Sequence, residues 1–191
     1  MIILSAGHDT KYFGAANCHY GLMEHFSALT ICDAVMGMLK NDKEVRFLDT
    51  DQRAPYFEDR ATSLCWKVET INKMHTTEKI DMAIELHFNA SPCRTGHGAE
   101  VLYMSEAGRR YAGIFMPLLE AFDGKIDGRR RMHSATMHFL KHTTMPAIIL
   151  EPLFIDNDED CRPLLSVKGR RSLAVAIAEG INLTAKEMAH A

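Results

Sequence analysis

Four polar side chains sit where apolar runs end, and their types suit hydrolysis. His8 follows Ile2-Ile3-Leu4-Ser5-Ala6-Gly7, and His87 closes Ile84-Glu85-Leu86. Glu151 follows Ala147-Ile148-Ile149-Leu150, and Glu24 opens a long helical stretch. Each has a plain structural reading: a solvated loop histidine, a core imidazole bonded to backbone, a glutamate partnered by Arg162 or Lys168, and a first-turn acid favoured by the helix dipole. As a set they read differently. Two histidines and one carboxylate are the ligand set of many catalytic zinc centres, which keep a fourth position for water. Such a centre needs a separate carboxylate to move a proton from the water to the leaving amine. Glu151 suits that role, because ionising a carboxyl at the end of so apolar a strand is costly unless a cation stands nearby.

The elements that would position these residues alternate in type. Strand-length apolar runs cover 2–5, 45–48, 81–87, 99–103 and 147–150, and helical periodicity covers 22–39, 57–74, 106–122 and 167–188. Alternating strands and helices predict an α/β fold, a single domain over 1–191 with a mostly parallel central sheet and helices on both faces. In such a sheet, ligands gather beyond the carboxyl ends of the strands. Ser105 is a cap for the third helix, Pro146 precedes the last strand, and 122–131, with two glycines, reads as a loop.

Composition narrows the class. At 191 residues, with 47% hydrophobic and 25% charged residues, the chain has enough apolar content for one core without staples. A net charge of -3 argues against nucleic acid as a partner. Five cysteines without a Cys-x-x-Cys pair suggest neither a disulfide framework nor a cysteine zinc site, which fits a reducing cytosol. The amino terminus lacks the basic and apolar regions of a signal peptide. No window reaches the roughly 18 apolar residues of a membrane span, so membrane insertion is not expected.

Taken in order, the motifs resemble those of the zinc-dependent N-acetylmuramoyl-L-alanine amidases. The matching positions are Gly7-His8, Glu24, Arg60 ahead of the second helix, His87-Phe88-Asn89-Ala90-Ser91, Gly98-Ala99-Glu100-Val101-Leu102-Tyr103, and Glu151-Pro152-Leu153-Phe154-Ile155-Asp156-Asn157. They span nearly the whole chain. The resemblance implies one Zn2+ per chain held by His8, Glu24 and His87, with Glu151 as general base. It implies peptidoglycan as the substrate, cut at the amide between N-acetylmuramic acid and L-alanine. The flavour is that of phage endolysin catalytic domains, which implies cytoplasmic synthesis and release to the wall through a holin. One departure is Gly7-His8-Asp9-Thr10, where the family often continues Gly-His-Gly-Gly. Two other readings remain: a zinc peptidase cutting within the stem peptide, and a non-catalytic peptidoglycan-binding module.

Asn89 is assigned to substrate from the histidine motif. Arg130 is assigned from Arg129-Arg130-Arg131, a run that offers a carboxylate clamp but reads also as a solvated basic loop. His133, His138 and His142 follow at spacings that admit a second metal site or plain surface histidines. Trp66 and the twelve methionines are expected in the core. The sequence leaves the oligomeric state open.

Overall fold

The computed structural model describes residues 1–39, 44–48, 59–123 and 131–190. Among the described residues, eight strands and five α-helices follow one another. These are β1 (Ile2–Ala6), the hairpin β2 (Ala16–Asn17) and β3 (Leu22–Met23), α1 (Glu24–Met38), β4 (Val45–Leu48), α2 (Arg60–Glu78), β5 (Met82–Leu86) and β6 (Glu100–Tyr103). Then come α3 (Glu106–Asp123), β7 (Arg131–Ser134), α4 (His138–His142), β8 (Ala147–Glu151), a 3-10 turn (Arg162–Leu165) and α5 (Val167–Ala189).

Six strands form the sheet in the order β4-β1-β5-β8-β6-β7. The first four are mutually parallel, β6 runs antiparallel to β8, and β7 is parallel to β6. The α/β fold with a mostly parallel sheet is therefore present. All five residues of β1 and all five of β5 are buried, as a strand covered on both faces requires. Ile2, Leu4, Met82, Ile84, Leu86, Ile148 and Leu150 pack with residues of α1, α3 and α5 on one face. On the other, Ile3, Ala83, Ala147 and Ile149 pack with Val68 and Ile71 of α2 and Phe139 and Leu140 of α4. Burying each such large side chain contributes roughly 1.5–3 kcal/mol.

Local signals explain the boundaries. Asp59 accepts the Thr62 amide at 2.8 Å and caps α2, and Ser105 Oγ accepts the Gly108 amide at 3.0 Å at the start of α3. Pro146 stands outside β8, and its carbonyl accepts the Ala83 amide.

Three features depart from the sequence reading. Arg131 is not loop: it begins β7, a short polar edge strand whose Arg-Met-His-Ser carries no apolar alternation to announce it. The two-residue strands β2 and β3 and the single-turn α4 are too short for periodicity to reveal. Trp66 is half-buried rather than central, because the buried stripe of α2 runs through Ser63, Lys67, Val68 and Ile71, and Met23, Met38, Met104 and Met137 are exposed rather than core. A lysine occupies a core position there.

Candidate active site

Because β1, β5 and β8 are parallel neighbours, their carboxyl ends open on the same edge of the sheet. The Gly7 amide donates to Leu86 O at 2.7 Å, and the His87 amide donates to Leu150 O at 2.9 Å, so His8, His87 and Glu151 are delivered by adjoining strands. Glu24 arrives from elsewhere. The β2–β3 hairpin turns the chain back so that the first residue of α1 faces the sheet edge, with its own amide bonded to Ala15 O at 2.9 Å.

His8, Glu24 and His87 converge, their ligand atoms all within 4.8 Å of one another. Glu24 bridges the two rings: its Oε2 lies 3.0 Å from His8 Nε2 and its Oε1 lies 2.9 Å from His87 Nδ1. The amides of Ala15 and Phe88 donate to the same two oxygens, at 2.8 and 3.1 Å. Burial opposes charge on Glu24, but the hydrogen bonds and charges of His8 and His87 outweigh it and hold the carboxyl well below its usual range. At His87 burial likewise opposes charge, while Glu85 and the hydrogen bond to Glu24 raise the imidazole to about 10. The pocket thus favours positive charge, which a metal ion held by His8, Glu24 and His87 would supply in place of protons. Donor types, convergence and charge all fit a zinc ion.

The approach is tight enough to dictate two glycines. A Cβ on Gly7 would overlap the His87 ring, and one on Gly14, where φ is +77°, would overlap Glu24 Oε2 and the His8 ring. His8 itself has φ 61°, the left-handed region that only a few per cent of non-glycine residues occupy. Its neighbour Asp9 explains how the loop holds that shape. The Asp9 carboxylate accepts the Lys11 and Tyr12 amides, each at 2.8 Å, and the Ser63 hydroxyl from α2. The aspartate that departs from Gly-His-Gly-Gly is therefore the loop's internal brace. His25 was not singled out by its position in the sequence. It is fully buried, and its Nδ1 sits 2.6 Å from Gly7 O, fixing the turn from beneath.

Glu151 ends β8 with Oε2 buried and without a hydrogen-bond partner. Among the described residues it makes no ion pair with Arg162 or Lys168. Burial pushes its pKa up to about 8; His87 pulls the other way, and the charges of Glu24, Glu100 and Glu85 reinforce the rise. Glu100 was likewise not singled out as a site residue. Because β6 is antiparallel, its first residue rather than its last pairs with Glu151 at the site edge. Asn89 uses its side chain internally, donating to Glu100 Oε2 at 2.8 Å and accepting the Ala90 amide at 2.8 Å. Arg130 lies outside the described residues. Arg60 lines an open cleft with His8, Tyr12, Phe13 and Gly14. His133 is an exposed residue of β7, and the His138 and His142 rings lie near one another on α4, tilted by 41° with centroids 4.5 Å apart.

Known proteins share both the sequence pattern and the fold. Over 189 residues the chain is 29% identical to an endolysin of Bacillus phage SPP1, matching 95% of this chain and 64% of that protein. Over 116 residues it is 28% identical to the N-acetylmuramoyl-L-alanine amidase LytC of Bacillus subtilis, matching 59% of this chain and 23% of that protein. The chain thus spans less than two thirds of either relative. The catalytic domain of CwlV, an N-acetylmuramoyl-L-alanine amidase from Bacillus (Paenibacillus) polymyxa, superposes with a TM-score of 0.81 at 23% identity, covering 97% of both chains, a likeness of fold. The N-acetylmuramoyl-L-alanine amidase family model matches residues 2–183. By that match, which takes in His8, Glu24, His87 and Glu151, the chain belongs to the N-acetylmuramoyl-L-alanine amidase family.

Proposed function

We propose that this chain is a zinc-dependent N-acetylmuramoyl-L-alanine amidase that hydrolyses the amide joining the lactyl group of N-acetylmuramic acid to the L-alanine of the stem peptide in peptidoglycan. The observation that carries the reading is the convergence of His8, Glu24 and His87, together with Glu151, whose buried Oε2 has no hydrogen-bond partner. His8, Glu24 and His87 would hold one ion. When bound, zinc supplies Lewis acidity, which polarises the amide carbonyl and lowers the pKa of water toward neutrality.

Glu151 handles the protons. Burial raises its pKa to about 8; a cation held by His8, Glu24 and His87 would oppose that rise and favour the carboxylate, which takes a proton from the attacking water. As the C–N bond breaks it returns that proton to the departing alanine nitrogen, leaving a carboxylic acid on the sugar and a free amine on the peptide. Arg60, at the rim of the cleft beside His8, is placed to pair with a carboxylate of the stem peptide. Asn89 holds Glu100 and so orients the acidic edge facing the substrate.

The similarity to a phage endolysin supports a role in wall lysis. No helix among the described residues is long and apolar enough to cross a membrane. Mass spectrometry of digested walls tests the assignment. Free stem peptides beginning with L-alanine are the expected product. Shortened stems on intact glycan would mean a peptidase, and wall binding without any release would mean a binding module.

A further inference from the structure

We infer that Lys67 and Glu85 form a buried positioning relay that sets the orientation and tautomer of His87 and ties the two histidine-bearing strands together. The inference rests on the zinc reading above. Lys67 lies in the core-facing stripe of α2 and Glu85 in the middle of the sheet on β5, each with a side chain only 3% exposed. An ion pair this deep is a poor stabilising device, since taking two charges out of water offsets their attraction and apolar replacements are often neutral or better. Its geometry points to another purpose. Glu85 spends its two oxygens on two partners: Oε1 accepts Lys67 Nζ at 2.5 Å, and Oε2 lies 3.1 Å from His87 Nε2. The opposite ring nitrogen, Nδ1, is the one that faces Glu24.

A carboxylate accepting Nε2–H leaves the Nδ1 lone pair free, and ligand histidines are commonly oriented by such a partner. Lys67 holds that carboxylate in place from the core side, through Oε1. The same ammonium donates to Ala6 O at 2.6 Å, two residues before His8. One buried cation therefore braces the end of β1 and, through Glu85, the end of β5. Neither residue reaches the substrate, so both are positioning residues.

Zinc affinity separates this role from a structural one. Competition against a chromophoric chelator should show E85Q binding zinc 10–100-fold more weakly than the parent, the usual effect of losing such a partner. The double variant K67M/E85L removes both charges at once. It should unfold at a urea concentration at or above the parent's, yet keep the weakened zinc binding, and its cobalt-loaded form should show an altered visible spectrum. Parent-like zinc affinity in folded K67M/E85L overturns the relay. If that variant does not fold, long-range 1H–15N spectra of the zinc-loaded parent decide: a protonated Nε2 with Nδ1 bound to metal supports the relay, and the reverse overturns it. A parent that binds no zinc overturns the zinc reading and the relay together.

Discussion

Replacing Glu151 by glutamine should abolish activity and stabilise the fold at the same time. The carboxyl titrates near 4.5 as an ordinary glutamate and near 8 in the folded chain, because burial and the charges of Glu24, Glu100 and Glu85 oppose its ionisation. A folded pKa raised above the unfolded one means the folded state binds more protons across that interval, so stability is lost as pH rises through it. At pH 7 the gap of about 2.5 pH units from the unfolded pKa corresponds to an upper bound of roughly 3 kcal/mol. With relaxation and partial solvation, about 1–3 kcal/mol is the expected scale. Glutamine keeps the shape without the charge. In chelator-treated protein, the urea midpoint of E151Q should match the parent's near pH 4.5 and exceed it increasingly up to pH 8. Wall clearing with zinc present should fall by about 10²–10⁴-fold, as expected for loss of a general base. Stability curves that run parallel from pH 4.5 to 8, or undiminished clearing by the variant, would refute the reasoning.

Other perturbations follow from the same geometry. Gly14→Ala places a Cβ against Glu24 Oε2 and the His8 ring at a φ of +77°, so it should cost about 1–2 kcal/mol from backbone conformation alone and weaken zinc binding, read by calorimetric titration. Asp9→Ala removes the acceptor of two amides and the Ser63 hydroxyl; it should destabilise by about 1–3 kcal/mol in urea melts, with zinc uptake reduced because His8 loses its braced loop. Arg60→Ala should raise KM for solubilised peptidoglycan fragments while leaving kcat near the parent value, since its cleft position serves binding rather than bond cleavage.

The residues that were legible in the sequence are those whose chemistry is announced by position. An apolar strand ending in His87 or Glu151 marks a sheet's carboxyl edge, and parallel pairing does the rest. Glu24 was legible as a candidate at the start of a helix, but not its route to the site, which runs through a hairpin of two-residue strands too short to show a period. Glu100 escaped because an antiparallel strand presents its beginning where parallel strands present their ends. Lys67 and His25 escaped for a different reason. Each lies inside an ordinary helical pattern, and only the packed structure shows that one reaches Glu85 and Ala6 O while the other supports Gly7 O. Strand β7 was hidden by its polar edge composition.

The central claim is that His8, Glu24 and His87 form one zinc site. A crystal of zinc-loaded protein with anomalous data collected at the zinc edge tests it directly. The account predicts a single peak per chain, about 2.0–2.2 Å from His8 Nε2, a Glu24 oxygen and His87 Nδ1. A map without that peak, or with zinc bound elsewhere, would contradict it.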